Sequence, residues 1–194
     1  MEIPRKFFPL LVLFLHLSGF LLSKNPQELV SVSLSSDALS LKPGDSAWLM
    51  IDVEIKPKWH IYWKTSGQSG YPTTIKWNAE QVNFGELYFP SPQYYEVMEM
   101  ASYVHEGSNT LLTKITLDDQ WEGNEFIEIS GMFSSLICNE ANCIPFKIDL
   151  GLTIPVASST RLSPAGSEMV EKAKIKWPRP TPVGTKLSLL AKER

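Results

Sequence analysis

An all-β sandwich followed by a short C-terminal helix is the fold class that this sequence predicts, on three observations. Short stretches rich in β-branched, aromatic and alternating apolar residues recur between residues 28 and 155. Pro, Gly, Asn and Asp residues break these stretches at short intervals, as in β-sandwiches. Beyond Pro155 the alternation ends, and a Ser-rich linker leads into apolar residues at helical spacing.

Six segments are predicted as strands before the cysteines: 29–34, 48–55, 59–63, 74–77, 84–89 and 111–117. A turn at 42–45 precedes the second, because Pro43 presets φ and Gly44 accepts a positive φ. The third strand is aromatic and ends at a long loop, 65–72. Two further strands, 126–133 and 146–154, flank the cysteine segment, and a helix is expected over 167–177.

The chain divides into three predicted parts: a signal peptide at 1–23, the sandwich domain at 24–157, and a linker, helix and Pro-containing tail at 158–194. Arg5 and Lys6 precede an interrupted apolar run of about 16 residues, shorter than the roughly 18 expected of a spanning helix. We therefore expect export to an oxidising space, where cysteines form disulfides. An uncleaved membrane anchor is the alternative.

Composition excludes several classes of function. The formal net charge of −3 gives no basic footprint for nucleic acid, so we expect no nucleic-acid partner. No Ser-His-Asp arrangement, phosphate-binding loop or pair of carboxylates rises above chance. We accordingly expect no cofactor and no metal site.

The two cysteines, Cys138 and Cys143, carry the main chemical signal. If Glu140 and Ala141 form a two-residue turn, the cysteines become a non-hydrogen-bonded pair, in which side chains approach closely. Glu-Ala is a poor dipeptide for such a turn, and a relaxed disulfide needs closer Cβ atoms than this pairing provides, so strain or a looser loop is expected.

A structural staple and a redox-active disulfide are both compatible with these residues. A disulfide that closes so short a loop removes only about 2 kcal/mol of unfolded-state entropy, against nearly 5 kcal/mol for a loop of about 100 residues. This disfavours a staple, and strained disulfides are the more easily reduced ones. The residues alone leave the two alternatives open.

The chain also resembles a known family, the N-terminal periplasmic domain of DsbD-type thiol:disulfide interchange proteins, including the copper-sensitivity suppressor relatives. The most specific piece is Cys-x4-Cys-Ile-Pro at 138–145, which enters the last strand. Other matching segments extend the resemblance over about residues 28–182: 42–44, 59–64, 69–73, 89–92 and 177–180.

The resemblance implies an immunoglobulin-like sandwich in the periplasm that relays electrons through Cys138 and Cys143. The donor would be a membrane-embedded thiol reductase, and the clients periplasmic thioredoxin-like or disulfide isomerase proteins, as in cytochrome maturation and copper tolerance. The domain would thus act as a protein-disulfide reductase with a separate donor. Cys143 would form mixed disulfides and Cys138 would resolve them.

Aromatic residues complete the site that the resemblance implies. Tyr62 would lie beside the cysteines, and Tyr94 or Tyr95 would shield them from a cap loop at 90–98. Pro92 and Gln93 stand where acidic residues can precede the cap aromatic.

The alternative function is a copper-handling or chaperone-like binding module whose disulfide is structural. Met98, Met100 and His105, together with the two thiols, are soft ligands of the kind that suit Cu(I). Met is also common core filler, and His60 in its aromatic strand is expected to be a packed residue.

Overall fold

The structure, a computed structural model, describes residues 25–179. The predicted signal peptide and the tail beyond Arg179 lie outside these residues. A short 3-10 helix, Pro26–Glu28, precedes the strands. The strands and the helix are, in chain order, β1 (Val30–Ser36), β2 (Ala38–Ser40), β3 (Ser46–Ile55), β4 (His60–Gly67), β5 (Thr74–Asn78), β6 (Val82–Tyr88), β7 (Gln93–Val97), β8 (Met100–His105), β9 (Ser108–Leu117), β10 (Phe126–Cys138), β11 (Cys143–Pro155), β12 (Arg161–Leu162) and α1 (Pro164–Ile175).

These strands form the predicted immunoglobulin-like sandwich. The smaller sheet has the order β1-β3-β9-β6, and the larger has β11-β10-β4-β8-β7. Strand β5 also pairs with β10, beside the part of β10 that β4 does not reach. Strand β12 pairs with β2. All six strands predicted before the cysteines are present, as are the two beside them.

The core lies between the two sheets, because the inner face of each strand carries apolar side chains at every second position. In β10 the inward positions include Phe133 and Ile137, both fully buried. They belong to the same cluster as Ile51 and Val53 from β3 of the opposite sheet. Burying one such side chain stabilises the fold by about 1.5–3 kcal/mol.

Helix α1 covers the outer face of the smaller sheet. Val170 and Ala173 pack with Met50 and Leu112, which point away from the sandwich core. The helix begins at Pro164, three residues before the predicted start. The Ser163 hydroxyl caps this earlier start by accepting a bond from the backbone N–H of Gly166 at 3.2 Å.

The segment expected as a cap loop at 90–98 is largely a strand. Strand β7 pairs with β8 to form a hairpin whose two connecting residues, Met98 and Glu99, have φ values of 51° and 64°. Such connections usually carry Asn or Gly, because those residues tolerate positive φ. The sequence therefore lacks the usual signal for this turn, and the predicted loop is replaced by a β-hairpin.

His105 at the end of β8 lies on the inner face of the larger sheet. It is 2% exposed, its ring stacks on Phe89 with centroids 6.2 Å apart, and its backbone is opposite Ile61. Its Nε2 atom has no hydrogen-bond partner among residues 25–179. Burial lowers the pKa of this imidazole from 6.5 to about 4, because the charged form would lose its hydration.

His105 should make the fold sensitive to acid. Its pKa is 6.5 when unfolded and about 4 when folded, so between these values the unfolded chain binds more protons. The free energy of unfolding should therefore be highest above pH 6.5 and fall by about 3 kcal/mol toward pH 4. Urea unfolding of wild type and of His105→Phe across this pH range measures the change in the free energy of unfolding. The variant should lose less stability, and identical pH profiles would contradict the assignment.

Candidate functional site

Cys138 and Cys143 stand opposite each other at the ends of β10 and β11. Their Cα atoms are 4.1 Å apart, and the two residues are joined by a disulfide. The separation fits the narrow, non-hydrogen-bonded pairs of an antiparallel ladder, in which side chains are closest. The cysteines thus lie at the closed end of a hairpin, as the spacing predicts.

Asn139 shapes the turn between the cysteines. Its backbone N–H donates to the carbonyl of Asn142 at 2.9 Å, so these two residues are bonded and the cysteines beyond them form the non-hydrogen-bonded pair. Its side-chain Oδ1 accepts from the backbone N–H groups of Ala141 and Asn142 at 2.9 and 2.7 Å. Neither Glu140 nor Ala141 has a positive φ, so this turn is not of the primed type. The Asn139 side chain instead stabilises the turn, in the manner of an Asx turn.

The two sulfur-bearing residues differ sharply in exposure. Both project from the outer face of the larger sheet, because in β10 and β11 the inward positions alternate with theirs. Cys138 is only 1% exposed, whereas Cys143 is exposed. A thiol on another protein therefore has access to Cys143 and not to Cys138.

Aromatic and apolar side chains from three other strands cover Cys138. Tyr62 of β4 and Val104 of β8 form a buried cluster with it, and Tyr95 of β7 packs against that cluster. The cover leaves a cleft of about 470 Å³ between the β7–β8 hairpin and the cysteine turn. The lining of this cleft includes Met100 and both cysteines.

Of the three tyrosines predicted to shield the cysteines, the structure brings two to Cys138. Tyr62 is 5% exposed, and Tyr95 is partly buried beside it. Tyr94 is 62% exposed, and its hydroxyl donates to the carboxylate of Glu96. Because neighbouring residues of a strand point to opposite faces, Tyr94 is directed away from the cleft when Tyr95 is directed into it.

Gly70 holds the loop that follows β4 against the Tyr62 ring. Its φ is +81°, and a Cβ atom at this position would lie 2.1 Å from Cζ of Tyr62. Only glycine permits so close an approach in this backbone conformation. Ser69 ties the same loop to β8 through a 2.7 Å hydrogen bond between its hydroxyl and that of Ser102. The wall of the cleft is therefore fixed to two strands.

His60 is the site residue that the sequence interpretation missed. It is paired in register with Cys138 and shares the outer face of β4 with Tyr62. Its ring centroid lies 4.5 Å from that of Tyr95 and 5.6 Å from that of Tyr62. The alternation of His60, Ile61 and Tyr62 was the available signal, since it places His60 and Tyr62 on one face.

Titratable groups around the cleft are shifted by burial. Burial lowers the pKa of His60, because it penalises the imidazolium form. Partial burial raises the pKa of the Tyr95 hydroxyl, and the carboxylates of Glu140 and Glu106 act in the same direction. Neutral His60 and protonated Tyr95 are both favoured as a result.

The soft-ligand set considered for copper is not brought together. Met100 lines the cleft, but Met98 is 87% exposed at the hairpin turn. His105 faces the core on the opposite side of the sheet, against Phe89. Within the described residues, no group of three or more His, Cys, Asp or Glu side chains is arranged to hold a metal ion.

Comparisons with known proteins relate the chain to a family and its fold to solved structures. The family model described as the N-terminal part of thiol:disulfide interchange protein DsbD matches residues 29–154. The N-terminal periplasmic domain of ScsB from Proteus mirabilis is similar in structure, with a TM-score of 0.61 and 15% identity over 82% of this chain. The chain spans 59% of the length of that ScsB domain. At this identity the likeness shows the fold.

Two structures from Neisseria meningitidis are more distant. The reduced DsbD N-terminal domain has a TM-score of 0.44 and 12% identity, covering 72% of this chain and 94% of that one. A complex of the DsbD and PilB N-terminal domains has a TM-score of 0.41 and 12% identity, covering 66% and 86%. No curated protein sequence matches the chain.

Between residues 25 and 179, no helix has the length and apolar character needed to cross a bilayer.

Proposed function

This chain belongs to the family of the DsbD N-terminal domains, and on that premise we propose that it relays electrons by thiol–disulfide exchange through Cys138 and Cys143. One observation carries the proposal: the disulfide opens on a cleft with Cys143 exposed and Cys138 buried. A disulfide with one accessible sulfur suits stepwise exchange, because a thiolate attacks one sulfur and releases the other.

Exchange proceeds in two halves. A donor thiolate attacks the Cys143 sulfur, the bond to Cys138 breaks, and a second donor thiol then releases the reduced pair. The Cys143 thiolate next attacks a client disulfide and forms a mixed disulfide. Attack by Cys138 on the Cys143 sulfur restores the intramolecular disulfide and releases the client as a dithiol, so two electrons pass from donor to client.

A purely structural disulfide fits the same geometry less well. Strands β10 and β11 are already paired along their whole length, from Phe126 opposite Pro155 to Cys138 opposite Cys143. A bond across the final pair closes a very short loop and stabilises the folded state by only about 2 kcal/mol on the chain-entropy model. The position beside the cleft favours an exchange reaction.

Tyr62 and Tyr95 serve in this proposal as the shield of the buried sulfur. A dithiol in an oxidising compartment must resist small oxidants between donor and client. Their rings, packed on the cluster that contains Cys138, would restrict access to that side of the pair. The cap is thus the β7–β8 hairpin, with Tyr95 on its cleft-facing side.

The family match and the predicted signal peptide support a proposal for the location and partners of this domain. We propose a periplasmic domain that accepts electrons from a membrane-embedded thiol reductase. Its clients would be thioredoxin-like or disulfide isomerase proteins, which present an exposed disulfide to Cys143. Copper handling has no observation of its own to favour it over exchange.

The reduction potential of the pair tests the proposed function. A relay disulfide must be reducible by another dithiol, so its potential should lie above about −300 mV, whereas a structural disulfide lies below that value. Equilibration with glutathione or dithiothreitol buffers, read by thiol alkylation and mass spectrometry, gives the potential. A value below the limit would reject the relay and favour a structural disulfide.

The roles of the two sulfurs can be separated with single-cysteine variants. Because Cys143 is exposed and Cys138 is buried, Cys138→Ser should form a mixed disulfide with oxidised glutathione faster than Cys143→Ser, by about tenfold or more. Mass spectrometry of the glutathione adduct over time measures both rates. Equal rates, or a faster Cys143→Ser variant, would overturn the assignment.

Tyr95 and Tyr94 offer a matched pair for testing the shield. Tyr95→Ala removes a ring from the cluster around Cys138, so the reduced pair should be oxidised faster by hydrogen peroxide. Tyr94→Ala removes an exposed ring of the same type from the other face of the strand and should leave the rate unchanged. Thiol loss over time gives both rates. A Tyr95→Ala rate equal to wild type would exclude this residue from the shield.

A further inference from the structure

The exchange reaction needs a proton acceptor beside Cys138. Only the thiolate attacks a disulfide, so the Cys138 thiol must lose its proton before it resolves the mixed disulfide on Cys143. Apolar surroundings disfavour a thiolate, and Cys138 is 1% exposed, so water has little access to it. A group inside the protein is therefore better placed than water to take this proton.

His60 lies in the position that such an acceptor requires. It is opposite Cys138 in the register of β4 and β10, and both residues face the cleft. Directly opposite side chains on one face of an antiparallel pair have Cβ atoms roughly 4.5–5.5 Å apart. Its Nε2 atom is buried and has no hydrogen-bond partner anywhere in residues 25–179. This nitrogen therefore makes no hydrogen bond within the described residues that would have to break before it takes a proton from Cys138.

We propose that His60 is a catalytic residue of the exchange reaction, the general base that takes the proton from the Cys138 thiol when it resolves the mixed disulfide and supplies a proton to Cys138 when the donor reduces the pair. This inference rests on the proposed function, since it concerns a step that only a redox-active pair performs. It adds a proton-transfer group to a site that otherwise consists of two cysteines and their aromatic shield.

The step balances in protons and electrons. The neutral imidazole takes the proton of the Cys138 thiol, and the resulting thiolate attacks the Cys143 sulfur of the mixed disulfide. The new bond between Cys138 and Cys143 forms as the bond to the client breaks. The client leaves as a thiolate and takes the proton from the imidazolium. When the donor reduces the disulfide, the donor thiol gives its proton to the imidazole as it attacks, and the imidazolium passes a proton to the departing Cys138 thiolate.

The surroundings of His60 favour its neutral form, as a base requires. Burial lowers its pKa, so it is uncharged at neutral pH and able to accept a proton. The groups that face it are Tyr62 on its own strand, Tyr95 on β7 and Cys138 on β10. The carboxylates that act on this side of the cleft are Glu106 after β8 and Glu140 in the cysteine turn, as their effect on Tyr95 shows.

No other group facing the cleft serves as well. Tyrosine hydroxyls have an ordinary pKa of about 10 and keep their protons at neutral pH. Burial and the nearby carboxylates raise the pKa of Tyr95, which makes it a still poorer acceptor. Glu140 is exposed at the turn, where water surrounds its carboxylate. Among the described groups that face the cleft, the imidazole is the one that is buried beside Cys138 and able to accept a proton at neutral pH.

The resolving step can be observed directly with dithiobis(nitrobenzoate). The reduced protein releases one thionitrobenzoate when Cys143 attacks the reagent and a second when Cys138 resolves the mixed disulfide, so absorbance reports two phases. At neutral pH, His60→Phe should slow the second phase by about 100-fold, which is typical of a lost general base, and leave the first unchanged. His60→Gln, which keeps a polar side chain, should slow it similarly.

His105→Phe is the matched control, because it makes the same change in a second buried histidine whose Nε2 also has no partner. In the pairing of β4 with β8, His105 is opposite Ile61, the residue that follows His60. Its side chain lies on the core side of the sheet. This variant should keep both phases. Near-ultraviolet circular dichroism of all the variants checks that the aromatic packing of the cleft is retained.

The pH dependence of the second-phase rate distinguishes a general base from a residue that only packs. It can also be measured on the wild-type protein without any variant. With His60 as base, the second phase should stay nearly level down to pH 6.5 and fall only at lower pH, because burial lowers the pKa of the imidazole below its ordinary value of 6.5. In His60→Phe the rate should instead rise about tenfold per pH unit toward the ordinary pKa of a thiol. A second phase with the same rate and pH profile in His60→Phe and wild type would overturn the proposal. A wild-type protein that gives no second phase would overturn the proposed function as well.

Discussion

The pairing of β10 with β11 runs without a shift from Phe126 opposite Pro155 to Cys138 opposite Cys143. Every other property of the site depends on this register, because a slip of one residue would turn each side chain to the opposite face. Core residues such as Phe133 and Ile137 fix it from within, since they are fully buried between the sheets. The hydrophobic core therefore sets the positions of the two sulfurs.

The same alternation explains why the site needs a cover of its own. Positions between the inward ones point out of the sandwich, so the opposing sheet cannot bury Cys138. The hairpin of β7 and β8 performs this task at the end of the larger sheet, with Tyr95 and Val104 packed in the cluster around Cys138. Cys143 on the edge strand β11 remains exposed beyond this cover. Two neighbouring strands of the sheet thus carry one protected and one accessible cysteine.

The two described histidines show how the alternation of side chains along a strand decides which of two buried histidines faces the site. His60 and His105 belong to adjacent strands, are both buried, and both have an Nε2 atom without a partner within the described part of the chain. His105 faces the core, where burial only weakens the fold in acid. His60 faces the cleft beside Cys138, where a neutral imidazole is placed to accept the thiol proton in the proposed reaction. Residue type and burial are alike, and only the direction of the side chain differs.

Sequence patterns were sufficient to predict the sandwich, most of its strands, the C-terminal helix and the cysteine hairpin. Alternation and turn residues are local signals, and the spacing of the cysteines limits how they pair. Strand pairing in the folded protein, and no local pattern, directs Tyr95 rather than Tyr94 to the cleft and makes a strand of most of 90–98. It also brought His60 to Cys138, residues far apart in the chain. Pairing between distant strands decides these points, because local propensity carries no information on which strands become neighbours or which face is covered.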